Sequence, residues 1–159
     1  MKKMLIATVA LATFAATPSM AADFTVSGTV NAVCSYTGGS ISFNTIATNA
    51  DGSIAGSQSA SSTGQAGFYC NGANTTATLS HAALSNGNAS PPSGFTGTIN
   101  FTPVVKVDGA DLVTGDQSSV AFGAQAGSLV VEARTLTASG KVLAGSYNGS
   151  ITLTLTPTA

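Results

Sequence analysis

From Ser146 to Thr156 apolar and hydroxyl side chains take turns: Tyr147, Ile151, Leu153 and Leu155 fall on one parity, and Thr152, Thr154 and Thr156 on the other. A period of two marks a strand with one face buried and one face wet. The same period recurs along the chain. Phe24, Val26, Gly28, Val30, Ala32 and Cys34 alternate with Thr25, Ser27, Thr29 and Asn31, and within Ser40–Ala47 Ile41 and Phe43 oppose Ser42 and Asn44. Further strands are predicted over Gln65–Cys70, Thr75–His81, Thr96–Val107, Val120–Phe122, Leu129–Leu136 and Ser146–Thr156, with turns at Asn71-Gly72-Ala73-Asn74, across Asn86–Gly94 and at Asp108-Gly109-Ala110-Asp111. The Gly-, Ser- and Ala-rich stretch Thr48–Gly64 reads as an exposed loop or frayed edge. Pro103 cannot donate to a ladder, so its strand either lies at an edge or bends there to pass between sheets. Past the first twenty-odd residues no helical stripe competes with this pattern, and many short strands with Gly-rich turns predict an all-β sandwich rather than a parallel α/β fold.

The beginning of the chain is an address. Lys2 and Lys3 precede an apolar run from Met4 to Ala16, followed by Pro18 and the small-residue triplet Ser19-Met20-Ala21. This predicts a secretory signal over residues 1–22 and a single domain over 23–159. The run is too short to span a bilayer, nothing later approaches eighteen consecutive apolar residues, and no cysteine stands at the cleavage point, so neither membrane insertion nor a lipid anchor is expected.

Without the signal, Lys106, Arg134 and Lys141 face Asp23, Asp51, Asp108, Asp111, Asp116 and Glu132, a formal charge of −3. Charged residues make up 7% of the chain, far below the roughly one quarter usual in globular domains. No basic face for nucleic acid is expected. The many β-branched residues and low net charge speak against a disordered linker. Hydroxyls and amides take the surface instead, which suits an extracellular domain that packs against others without charge repulsion. The two cysteines, Cys34 and Cys70, meet an oxidising compartment and are expected to be joined, the alternative being two free thiols in the core.

Candidate chemistry is sparse. His81 is the only histidine, no nucleophile elbow surrounds the serines, and a structural or solvated role is expected for it. His81 and a disulfide cannot supply the ligands of a zinc site. Asp108, Asp111 and Asp116 cluster about a turn where a loop calcium site is conceivable, against the simpler reading of carboxylates that cap the backbone. Glycosylation sequons begin at Asn74, Asn88, Asn100 and Asn148, as chance supplies in a chain this rich in Asn, Ser and Thr. Glu132 and Arg134, two apart on one strand face, read as a solvated pair. No tryptophan is present to stack on a sugar. Neither an enzyme, a cofactor nor a bound metal is expected.

The segment Phe24–Cys34 resembles the start of chaperone–usher pilin subunits, where a G-x-V-x-x-x-C strand opens the fold; Gly28, Val30 and Cys34 match it, and Cys70 in Ala66-Gly67-Phe68-Tyr69-Cys70-Asn71-Gly72 fits the second cysteine. The end, Ala144-Gly145-Ser146-Tyr147 onward to Leu155, resembles the final strand of the related spore-coat-protein-U-like and archaic pilin families. The likeness covers the two ends and the cysteine pair, about a third of the exported chain. It implies an immunoglobulin-like β-sandwich that stops one strand short and leaves a groove lined by the last strand, through Tyr147, Ile151, Leu153 and Leu155. A neighbouring subunit's N-terminal segment would fill that groove with Phe24, Val26, Gly28 and Val30. The implied partners are neighbouring subunits, a periplasmic chaperone and an outer-membrane usher. The implied location is the periplasm in transit and then a surface fimbria acting in adhesion or biofilm. The alternative is a self-complete secreted surface or coat domain that uses residues 24–34 as its own edge strand.

Overall fold

A computed structural model describes residues 25–62, 65–116 and 118–158. The signal predicted over residues 1–22, and Phe24 among the predicted groove-filling residues, lie outside the described residues. The chain divides at Val30 into two units. In the first, residues 25–30 belong to no strand, and Val26 and Val30 are 93% and 80% exposed.

In the second unit the described residues form β1 (Cys34–Ser35), β2 (Ser59–Ser61), β3 (Gln65–Cys70), β4 (Asn74–Ser85), β5 (Phe95–Thr96), β6 (Thr98–Val107), β7 (Ala110–Thr114), β8 (Ser118–Phe122), β9 (Gln125–Thr137), β10 (Lys141–Val142) and β11 (Asn148–Thr158). Nine of these make one antiparallel sheet along the path β1-β3-β9-β6-β4-β11, with β2 on β9, β7 on β6 and β8 on β4; β5 and β10 form a short parallel pair. The ends of the path, β1 and β11, approach without pairing, so the sheet is nearly closed.

β6 makes the curvature. Thr98 and Ile99 pair with β4, and from Asn100 onward the strand pairs with β9. Pro103 therefore sits in a strand that changes neighbours, the second of the two expected solutions. Its carbonyl accepts from the Gly115 amide at 2.9 Å, beyond the last residue of β7. Backbone N and C=O of one strand residue point the same way, so the donor that proline lacks falls where no ladder strand needs it. Asp108 and Gly109, with φ of 49° and 84°, make the tight β6–β7 hairpin, where an Asp-Gly pair meets the positive φ that such a turn demands.

The core has two apolar clusters. Phe68, Cys70, Ala77, Leu79, Val105, Val107, Val113 and Leu129 form the first, and Ile99, Phe101, Ala133 and Leu136 the second. In β9 the inward parity of Leu129 and Ala133 does not extend to Leu136, yet all three are buried. A bulge reconciles them: Arg134 pairs with Thr102 and Thr137 with Asn100, and the extra residue includes Thr135 at φ 55°.

Two expectations need correction. The strand predicted from Phe24 to Cys34 is reduced, among described residues, to Cys34–Ser35, with one further backbone bond, from the Asn71 amide to Val33 O at 3.1 Å, just beyond the end of β3. The Asn71 side chain substitutes for one rung, accepting from Val33 N at 2.6 Å and donating to Asn31 O at 3.1 Å. The strand predicted over Ser40–Ala47 is not formed, although Ile41 and Phe43 pack on the second cluster as its alternation requires, joined there by Ile46 from the opposite parity. The stretch Thr48–Gly64, read as an exposed loop or frayed edge, contains the three-residue β2, paired with β9 alone, and an isolated bridge between Thr48 and Ile54.

Candidate functional site

β11 runs antiparallel to β4 from Asn148 to Thr158 and has no strand on its other side among the described residues. At its start the register slips past Gly149, where a Cβ would stand 2.7 Å from Ala82 O, so only glycine lets the strands approach there. From Ser150 onward the pairing is unbroken. Ile151, Leu153 and Leu155 point inward and pack against the core, half-buried, while Thr152, Thr154 and Thr156 are exposed.

Beside that edge lies a cleft of about 530 Å³. One wall is Gly149–Leu153 of β11; the other is the strandless run from Tyr36 to Ile41 with Phe43. The floor is the interior itself: Leu84, Phe101, Leu129, Val131 and Ala133. A second cleft of about 680 Å³ shares Ile41, Phe43 and Leu84 and continues along Val142–Asn148, where Tyr147 lines it and donates its phenol to Leu143 O at 2.9 Å. The far end of the strandless run is tied by a side chain rather than a strand. Gln58 accepts from Ala47 N and donates to Ala47 O, each at 2.8 Å.

Ser40–Ala47 borders both clefts, and among the described residues no strand pairs with it. Of the last-strand residues expected to line a groove, Ile151 and Leu153 border the first cleft and Tyr147 the second; Leu155 packs on the first core cluster and borders neither. Val26, Gly28 and Val30 stand in the first unit, outside any strand.

The disulfide joins Cys34 and Cys70, which are register partners on β1 and β3 with Cα atoms 4.1 Å apart. It anchors the chain just before the cleft wall begins at Tyr36.

The other candidates resolve into structural contacts. His81 lies on β4 with its ring centroid 4.6 Å from that of Phe101; its Nδ1 is 3.0 Å from Asp116 Oδ1, and its amide donates to the same oxygen at 2.9 Å. The three aspartates considered for a cation site part company. Asp108 accepts from Ser128 N at 2.8 Å, Asp111 takes a two-pronged bond from Arg134 at 2.9 and 3.1 Å, and Asp116 holds His81. No metal-binding group of three or more side chains occurs among the described residues. Glu132 and Arg134 are more than a solvated pair: with Asp111 and Lys106, whose ammonium is 3.5 Å from Glu132, they link β6, β7 and β9 on the outer face. The guanidinium bonded to Asp111 holds that carboxyl below its ordinary value, and the two carboxylates raise Arg134.

These observations define an all-β, nearly closed antiparallel sheet with one disulfide, whose last strand keeps an open edge beside an apolar cleft. No protein-family model, curated protein or solved structure matches the chain.

Proposed function

We propose that this chain is a structural subunit of a secreted surface fibre, an immunoglobulin-like sandwich short of one strand, whose cleft receives the N-terminal segment of the next subunit. The observation that carries this reading is the unpaired edge of β11 facing a cleft floored by core residues. An edge with apolar side chains and free backbone groups is a template for strand addition. The alternating segment around Val26 and Val30, exposed and in no strand of its own, has the chemistry of the occupant. Inserting Phe24, Val26 and Val30 stabilises by roughly 1.5–3 kcal/mol each before ordering costs. Head-to-tail insertion does not close on itself, so the product is a filament. A periplasmic chaperone would cover the edge in transit, an outer-membrane usher would pass the subunits outward, and the fibre would serve adhesion or biofilm.

Deleting residues 23–30 tests the reading. The expected result is a chain that still folds with its disulfide when a chaperone is co-expressed, yet no longer forms boil-resistant ladders on a denaturing gel. A deletion that instead unfolds the domain, starting from a stable monomer that never laddered, overturns the fibre and leaves a self-complete surface domain.

A further inference from the structure

Tyr36 crosses the cleft. It is the first residue after β1, and its backbone is fixed by the neighbouring Ser35–Tyr69 pairing and the Cys34–Cys70 bond. From there its phenol reaches β11 and donates to Leu153 O at 2.5 Å, a bond between residues 117 apart in sequence. The side chain lines the cleft and is 39% exposed, so it stands between the opening and the floor.

The acceptor matters more than the bond. In a strand the N–H and C=O of one residue point to the same side and those of the next residue to the other. A Leu153 carbonyl that meets Tyr36 across the cleft therefore turns away from β4. By the same alternation Ile151 and Leu155 turn their backbone groups to the open edge, since the register from Ser150 to Thr158 is unbroken. Leu153 lies between Ile151 and Leu155, whose backbone groups face the same open edge. Its carbonyl is already taken.

We infer that Tyr36 is a gate on strand entry: in the vacant subunit its hydroxyl occupies the central acceptor of the β11 edge, and a pairing strand enters only after displacing it. This rests on the strand-exchange reading above. The same contact protects the edge. An open strand edge invites pairing with the wrong chain, and a phenol that blocks the middle rung shortens the run of free rungs on either side. A single neutral hydrogen bond of the usual net strength, released before insertion, slows entry about three- to tenfold.

The test measures uptake of a labelled peptide spanning residues 23–31 by the full exported chain, diluted from denaturant at low micromolar concentration, for wild type, Tyr36→Phe and Tyr69→Phe. Tyr36→Phe keeps the ring and loses only the donor; Tyr69 is 45% exposed on β3 and lines neither cleft, so it serves as the control. Faster uptake by Tyr36→Phe, by about three- to tenfold, with Tyr69→Phe at the wild-type rate, supports the gate. Equal uptake by wild type and Tyr36→Phe overturns the gate and leaves strand exchange standing. No uptake by any of the three overturns strand exchange itself, and the gate with it. A Tyr36→Phe chain that fails to fold, judged by circular dichroism beside the control, also overturns the gate, because the hydroxyl is then a structural support.

Discussion

Ile99, Phe101 and Val105 of β6 and Ile151, Leu153 and Leu155 of β11 hold equivalent places, apolar residues on one parity of long strands. The first three are 0%, 6% and 0% exposed, whereas the second three remain only half-buried. β6 has neighbours on both sides, β4 and then β7 on one and β9 on the other, while β11 has β4 alone. Alternation fixes which way a side chain points. How deeply it sits depends on a second neighbour, and here that neighbour is not supplied by the described part of the chain.

The largest effect that probes this contrast comes from matched truncations on paired positions, because Leu79 and Leu153 face each other in the β4–β11 register. Leu79→Ala, at a fully buried site, is expected to cost about 2–5 kcal/mol in urea unfolding. Leu153→Ala is expected to cost less than about 1.5 kcal/mol in the chain alone, since little of its surface change is cavity. Equal costs would erase the distinction between the covered and the open strand. Filling the cleft with the 23–31 peptide should bring the second cost toward the first.

A loss of similar size probes the other end of the sheet path. β1 is two residues long and is held by the disulfide, which closes a loop of sequence separation 36. Replacing both cysteines by serine is expected to remove about 3–4 kcal/mol by the chain-entropy account. It should also raise hydrogen exchange at Ser35 and Asn71 before the middle of β9 responds. Unchanged exchange there would mean that backbone pairing alone secures β1.

The smallest effect lies on the outer face of the covered side. Because Arg134 depresses the Asp111 carboxyl, that carboxylate stabilises the fold fully above its ordinary value of 3.8 and loses the contribution as pH falls through the lower folded-state value. Asp111→Asn should therefore differ from wild type by a constant, small shift in melting temperature between pH 5 and 7, and the difference should shrink below about pH 4. A difference that grows with acid would reverse the assigned sign. The outer face of β11, with Thr152, Thr154 and Thr156, has no such ion pairs to titrate.

Much of this was legible in the residues. Gln65–Cys70 coincides with β3; β4, β8 and β9 contain the strands that the period of two predicted, and β6 and β11 begin two residues after the predicted starts, at Thr98 and Asn148. The Cys34–Cys70 bond and the change of neighbours around Pro103 followed from redox compartment and from a missing donor. β7 was hidden because Asp108–Asp111 reads as a turn, and the strand that follows, Ala110–Thr114, begins inside that turn. The bulge at Thr135 was hidden too, since nothing local favours a β-branched residue at positive φ; only the joint burial of Ala133 and Leu136 demands it. A groove beside the last strand was expected only as an implication of the pilin resemblance, and no residue pattern pointed to the cleft, which Leu155 does not border. Tyr36 was missed altogether. Its single signal is a tyrosine two places after the cysteine, which says nothing of a carbonyl on the last strand.

The covalent link between Cys34 and Cys70 also sets the mechanical route through the molecule. Tension applied to the backbone ahead of Cys34 passes through sulfur to the end of β3 and into the sheet, without peeling a two-residue strand rung by rung. The chain from Ser35 to Tyr69 is bypassed, and with it Tyr36, Ile41 and Phe43. A pull on the leading end thus leaves that wall slack.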